Sequence, residues 1–208
     1  MGHLVAREPW GTVDLNTTEG RVWVQQDWFY TWTVNPGAAA WTTTQKQEFH
    51  NTLDRQVWAG WSDRIRVRVA GPGEFARRFA GAGLRLTFDV HWVLAAGHWS
   101  VRVRKLPAGS NPTTFISNVS FTTRQIELDS ADLAAYAASN AAGASRTFRA
   151  GPHEFGHTFK NPDEYNAGSP NLVDTSSIMN IGTQVRPRHL TLLLTTLGRL
   201  MPGLTFTA

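Results

Sequence analysis

A chain of 208 residues, 41% hydrophobic and with nine tryptophans, can fill one substantial core or two small ones, which excludes a disordered or fibrous protein. Its formal charge of +4 comes from arginine spread along the chain, which predicts weak attraction to anionic surfaces but no nucleic-acid partner. The lack of cysteine rules out disulfides, thiolate zinc sites and thiol nucleophiles together. Neither a signal-peptide pattern nor an apolar run of membrane-spanning length is present, so the expectation is a monomer without membrane contact. Such a composition suits a bacterial protein, cytoplasmic or exported by a dedicated route other than general secretion.

In chain order, RVWVQQDWFYTWTV (Arg21 to Val34) mixes aromatic and β-branched residues in partial alternation and predicts one or two strands. TTTQKQEFHNTLDRQVWAGW sets Phe49, Leu53, Val57 and Trp61 at successive i+4 positions, an amphipathic helix with Thr44 and Gln47 as a candidate capping box. DRIRVRVAG predicts a strand with Arg64, Arg66 and Arg68 on a solvated face. LRLTFDVHWVLAAGHWSVRVRKL reads as two strands joined in a hairpin at Ala95-Ala96-Gly97. His91 and His98 sit there as ordinary sheet residues, with Arg102 and Arg104 as a second solvated stripe. FISNVSFTTRQIELD predicts a strand pair or a long edge strand, and SADLAAYAASNAAGAS a short alanine-rich helix. A polar loop and a C-terminal helix follow, with Pro187 near the start of that helix and Pro202-Gly203 beyond it. Most tryptophans read as core. The pattern predicts a single α+β domain over residues 1–208, mostly sheet with one helix to residue 140 and helical thereafter.

Chemistry concentrates in GPHEFGHTFKNPDEY (Gly151 to Tyr165). His153, Glu154 and His157 form H-E-x-x-H, and on a helix two histidines four apart share one face and can reach one zinc ion. Glu154 beside them can take a proton from a water activated at the metal. A third ligand is needed, and no glutamate follows Glu164 to supply it from a later helix. Asp163, six residues past His157, can return to the metal if the chain turns sharply, and Pro162 predicts a helix end near Phe159 or Lys160. Glu164 is the alternative third ligand. Pro152 predicts a late helix start, near Ala150 or Gly151. His189 is either an oxyanion-stabilising group, an additional ligand or a capping residue, and Tyr165 is either a second oxyanion candidate or a packing residue.

HEFGHTFKNPD resembles the extended zinc motif of metzincin metallopeptidases, in the aspartate variant of snapalysin-like enzymes, and SSIMN around Met179 resembles their methionine turn. The resemblance spans Gly151 to Asn180. It implies His153, His157 and Asp163 as Zn2+ ligands and Glu154 as general base. It also implies a zincin-like α+β domain with a twisted mixed sheet, an active-site helix and a C-terminal helix. The substrate would then be a protein or peptide, held along an edge strand for which Gln125 to Leu128 is the candidate. The family usually has glycine at the position of Lys160, so the left-handed residue is expected to shift to Asn161. The rival readings are a binding module with a structural or relict metal site, and a zinc hydrolase acting on a non-peptide substrate.

Overall fold

The structure is a computed structural model that describes residues 2–110 and 117–208. Its first strands make an antiparallel meander in which β1 (His3–Glu8) pairs with β2 (Gly11–Asn16) and β2 pairs with β3 (Arg21–Val34). β3 is one strand, and it buries every second residue from Val22 to Tyr30, as a pleated ribbon with one face in the core must. α1 (Thr43–Trp61) buries Phe49, Leu53, Val57 and Trp61, the stripe its i+4 spacing predicts. Its capping box lies two residues earlier than expected: the Thr42 hydroxyl accepts from the Gln45 amide, and the Gln45 side chain accepts from the Thr42 amide.

The arginine-valine segment forms a much shorter strand than expected, β4 (Arg68–Ala70). Before it, Asp63 takes φ 53° and Arg64 folds back to donate to the Ala59 carbonyl at the end of α1. α2 (Glu74–Phe79), which the periodicity did not reveal, buries Phe75, Ala76 and Phe79, so the described residues up to 140 carry two helices rather than one.

β5 (Arg85–Val93) and β6 (Trp99–Lys105) do not form the expected hairpin. Both run parallel to β3, and Trp28 and Phe29 pair with each of them, so the two strands flank β3 on opposite edges. β6 takes over the edge that β2 leaves at Gln25. The link between them crosses β3 at Asp27, whose amide donates to His98 Nδ1. Gly97 is needed for that close approach, since a Cβ there would overlap the Asp27 carbonyl.

β7 (Asn118–Ser120) and β8 (Gln125–Asp129) are the expected strand pair, while Phe115 and Ile116 lie outside the described residues. β8 is parallel to β6 and covered by antiparallel β7, so Gln125–Leu128 is interior and β7 ends the sheet instead. The alanine-rich helix is absent from its expected place. β9 (Tyr136–Ser139) and β10 (Ser145–Phe148) make a hairpin there, closed by Asn140, whose side-chain oxygen accepts from the amides of Ala142 and Ala144. Such side-chain turns compete with helix, and alanine propensity is too weak to resist them.

α3 (Ala150–His157) follows, then a 3-10 turn at Pro187–Leu190, α4 (Thr191–Leu200) as predicted, and β11 (Thr205–Thr207) beside β4. The chain is thus α+β, with a seven-stranded mixed sheet and four α-helices among the described residues. α1 lies along β5 and caps its edge: Ser62 Oγ accepts from the Phe88 amide and Asp54 from the Val90 amide. α3 packs on α1, and one core joins them through Trp28, Trp61, Trp99, Phe88 and Phe155, all fully buried. Trp58, in contrast, is exposed, edge-on to Trp23. Among the described residues, no helix is long and apolar enough to cross a membrane.

Candidate metal centre

α3 begins where Pro152 requires. Arg149 is extended, and Pro152 sits within the first helical turn, where no intrahelical donor is lost. Trp61 Nε1 donates to the Pro152 carbonyl, and Gln26 on β3 donates to Thr158 Oγ1, which fastens both ends of the helix to the core. Beneath it, Gly156 has no room for a side chain because the Met179 sulfur and the Trp61 ring fill that space. Met179 is fully buried, and the turn around it presents the Ile178 carbonyl to His153.

The helix proper stops at His157, slightly before the expected end, and a tight turn runs on to Lys160. Lys160 itself takes φ 66°, so the left-handed residue does not shift to Asn161. Asn161 has another task. Its Nδ2 donates to the carbonyls of Gly156 and His189, and its own carbonyl accepts from His157. Past Pro162 the chain comes back and sets Asp163 against both histidines.

Each histidine donates its Nδ1–H to a backbone carbonyl, His153 to Ile178 at 2.8 Å and His157 to Asn161 at 2.7 Å. A carbonyl can only accept, so both Nε2 atoms are left carrying lone pairs. These two atoms are 3.2 Å apart, and Asp163 Oδ1 is 3.1 Å from one and 3.2 Å from the other. Three acceptors so close repel one another unless a cation joins them. A triangle with these edges is one face of a tetrahedron whose centre lies about 2.0 Å from each corner, the length of a zinc–nitrogen or zinc–oxygen bond. His153, Glu154 and His157 also form a buried group whose ligand atoms all lie within 4.8 Å of one another, a cluster that can hold a metal ion.

The electrostatics favour positive charge at this point. Burial would raise the Asp163 pKa, yet the His153 and His157 rings set against it hold the carboxyl far below the ordinary carboxylate range. Burial would lower the His157 pKa, but the neighbouring carboxylates of Asp163 and Glu154 outweigh it, and the net shift is upward. Glu154 is buried with its Oε2 lacking any hydrogen-bond partner, and burial pushes its pKa up against the pull of the two histidines. An orphaned carboxylate oxygen is poised to accept a proton from a molecule placed beside it. The Tyr165 ring lies 5.7 Å from that of His153, and its pKa is raised by burial and by the Asp163 carboxylate it hydrogen-bonds, so the phenol stays protonated.

Glu164 and His189 turn elsewhere. Glu164 accepts from Arg188 at 2.6 and 2.8 Å, and although burial opposes it, that pair and His189 bring its pKa down to about 2. His189 Nε2 faces Ser177 Oγ and Glu164 Oε1, both at 3.3 Å, while its Nδ1 accepts from the Arg186 amide. Both ring nitrogens are therefore engaged beneath the turn around Met179 rather than at Asp163. His91 and His98 gather on Asp27, and Arg102 and Arg104 face Glu127. Neither set forms a second metal-holding group among the described residues.

Two nearby residues escaped the sequence analysis. Tyr136 has its pKa pushed up to about 12 by burial and by the carboxylates of Asp132, Glu154 and Asp129. Its ring meets Phe148, which in turn lies 5.0 Å from the His153 ring. Asp132 is buried, accepts from Ser117 Oγ at 2.6 Å and the Asp129 amide at 2.7 Å, and has its pKa raised to about 7, chiefly by burial. Both lie in the stretch read as a helix, and no local pattern marks them.

Compared with known proteins, the chain matches no family model, no curated sequence and no solved structure.

Proposed function

We propose that the protein is a zinc-dependent endopeptidase of metzincin-like construction, with His153, His157 and Asp163 as metal ligands and Glu154 as general base. The triangle of two Nε2 atoms and one carboxylate oxygen, 3.1–3.2 Å on each edge, carries this reading. Asp163 is preferred to Glu164 because Glu164 already has Arg188 as its counter-ion. Zinc, when bound there, supplies the Lewis acidity that polarises a carbonyl and acidifies water. Glu154 takes the water's proton on its unpartnered oxygen and later delivers it to the leaving amine. Tyr165, kept protonated, donates to the developing oxyanion. His189 is a positioning residue that braces Glu164 and Ser177 under the methionine turn.

An open fourth position distinguishes a catalytic zinc from a structural one. The engagement of His189 with Ser177 and Glu164 favours that open position over closure by a fourth protein ligand. A peptide substrate is favoured by β7, which ends the sheet antiparallel to its neighbour and lies against α3, where an extended chain can add as a further strand.

Purified protein is expected to carry one equivalent of zinc and to cleave unstructured peptides. Glu154→Gln should retain the zinc and lower kcat by about 10²- to 10⁴-fold. Protein free of zinc, or a variant that cleaves as well as the original, would overturn the proposal. Zinc with hydrolysis of small acyl esters but no peptide cleavage would move it to the non-peptide class.

A further inference from the structure

A hollow of about 860 Å³ opens between α1, the start of α3 and the turn around Met179. None of the candidate metal ligands lines it. Its volume is that of a site for a nucleotide-sized molecule. Four arginines, Arg55, Arg64, Arg149 and Arg186, reach its wall, and no carboxylate does.

Arg186 is balanced by Asp174. The other three bind neutral oxygens: Arg55 donates to Thr52 Oγ1, Arg64 to the Ala59 carbonyl and Arg149 to the Leu133 carbonyl. An adjoining hollow that shares Gly182, Thr183 and Gln184 adds Arg146, which donates to Thr175 Oγ1. Like charges gathered in a concavity without carboxylates focus a positive field within it. Guanidinium forks match phosphate oxygens in pairs, each charge-assisted. The concave shape admits a compact ligand rather than the long stripe a nucleic-acid backbone follows.

We propose that this cavity binds a small polyanion bearing at least two phosphate groups. The site lies back to back with the candidate metal centre, since Pro152, which precedes His153, and Ile178 both line it. Ile178 lines the cavity, its carbonyl holds His153 Nδ1, and its amide donates to the carbonyl of Gln184, which also lines it. A ligand there firms the turn that orients His153.

The test is titration calorimetry with inorganic tripolyphosphate at about 0.15 M ionic strength. Binding is expected in the micromolar range, weakened about tenfold or more by each of Arg55→Gln, Arg64→Gln and Arg149→Gln. Arg77→Gln, an exposed change of equal charge on α2, should leave it unaltered. Equal loss in all four variants would reveal general attraction to a basic protein. No loss in any would reveal chelation of a bound metal. Equally tight binding of a short DNA duplex that needs the same arginines would assign the site to nucleic acid. Each of these results, or no binding at millimolar ligand, overturns the proposal. The readout does not depend on peptide cleavage, so its failure leaves the metal centre untouched.

Discussion

Lys160 sits at φ 66°, where a Cβ meets the following carbonyl at a cost of about 1–2 kcal/mol. Glycine removes that cost but loses about 0.5–1 kcal/mol of chain entropy on folding. Lys160→Gly is therefore expected to stabilise the protein by roughly 0.5–1 kcal/mol, and Lys160→Val, whose β-branch suits this region least, to destabilise it. Denaturant midpoints for the two variants decide the matter, and a loss of stability in Lys160→Gly would show that this turn is not under strain. That His153, His157 and Asp163 come together could be read from sequence because they lie within eleven consecutive residues, and a helix and a proline fix their relation. What could not be read were the carbonyls that orient the rings. Asn161 and Ile178 supply them through their backbones, and any residue type can offer a carbonyl. Asp163 and Glu164 are also chemically alike to a reader of the sequence. What separates them is the arrival of Arg188, 24 residues on, at one and not the other.

At the scale of elements, α3 is short and depends on what lies under it. Gly156→Ala drives a methyl into Met179 and Trp61, so a loss of about 1–3 kcal/mol is expected, as for other overpacked cores. Met179→Ala opens a cavity at the same contact and costs about 2–5 kcal/mol alone. Together the two changes should cost clearly less than their sum, because each relieves the fault the other makes. Strict additivity in chemical denaturation would mean that the glycine and the methionine do not meet. α1 was legible because its apolar residues repeat at the helical period. β9 and β10 were not, because Asn140 closes a hairpin within a run whose composition favours helix. The β5–β6 link resembles a turn in sequence, yet its glycine serves a crossing of two backbones, a relation set by a strand some 70 residues earlier.

For the whole molecule, Asp132 links stability to pH. Its pKa is about 7 in the fold against an ordinary 3.8, so the folded state holds a proton that the unfolded chain releases. That stabilisation is complete below about pH 4 and lost as pH rises through 7, and Asp132→Asn should flatten this part of the stability curve. Identical curves for the two proteins between pH 4 and 8 would exclude Asp132 as the titrating group. Metal should act on the whole fold as well. On the proposed function, zinc at a thousand times its dissociation constant should add about 4 kcal/mol by mass action, and a chelator should lower Tm accordingly, but not in His153→Ala. Arginine spread evenly through the sequence gave no hint of a local field, because Arg55, Arg64, Arg146 and Arg149 come together only once α1 and the turn around Met179 meet. β3 carries one last consequence, for synthesis at the ribosome. Its partners on opposite edges, β5 and β6, lie 64 and 71 positions later in the chain. Until about seventy further residues have emerged, a strand rich in tryptophan, tyrosine and phenylalanine waits with one edge bare and the other covered by β2 only as far as Gln25, and that nascent ribbon is where a chaperone, or another unfinished copy, would first take hold.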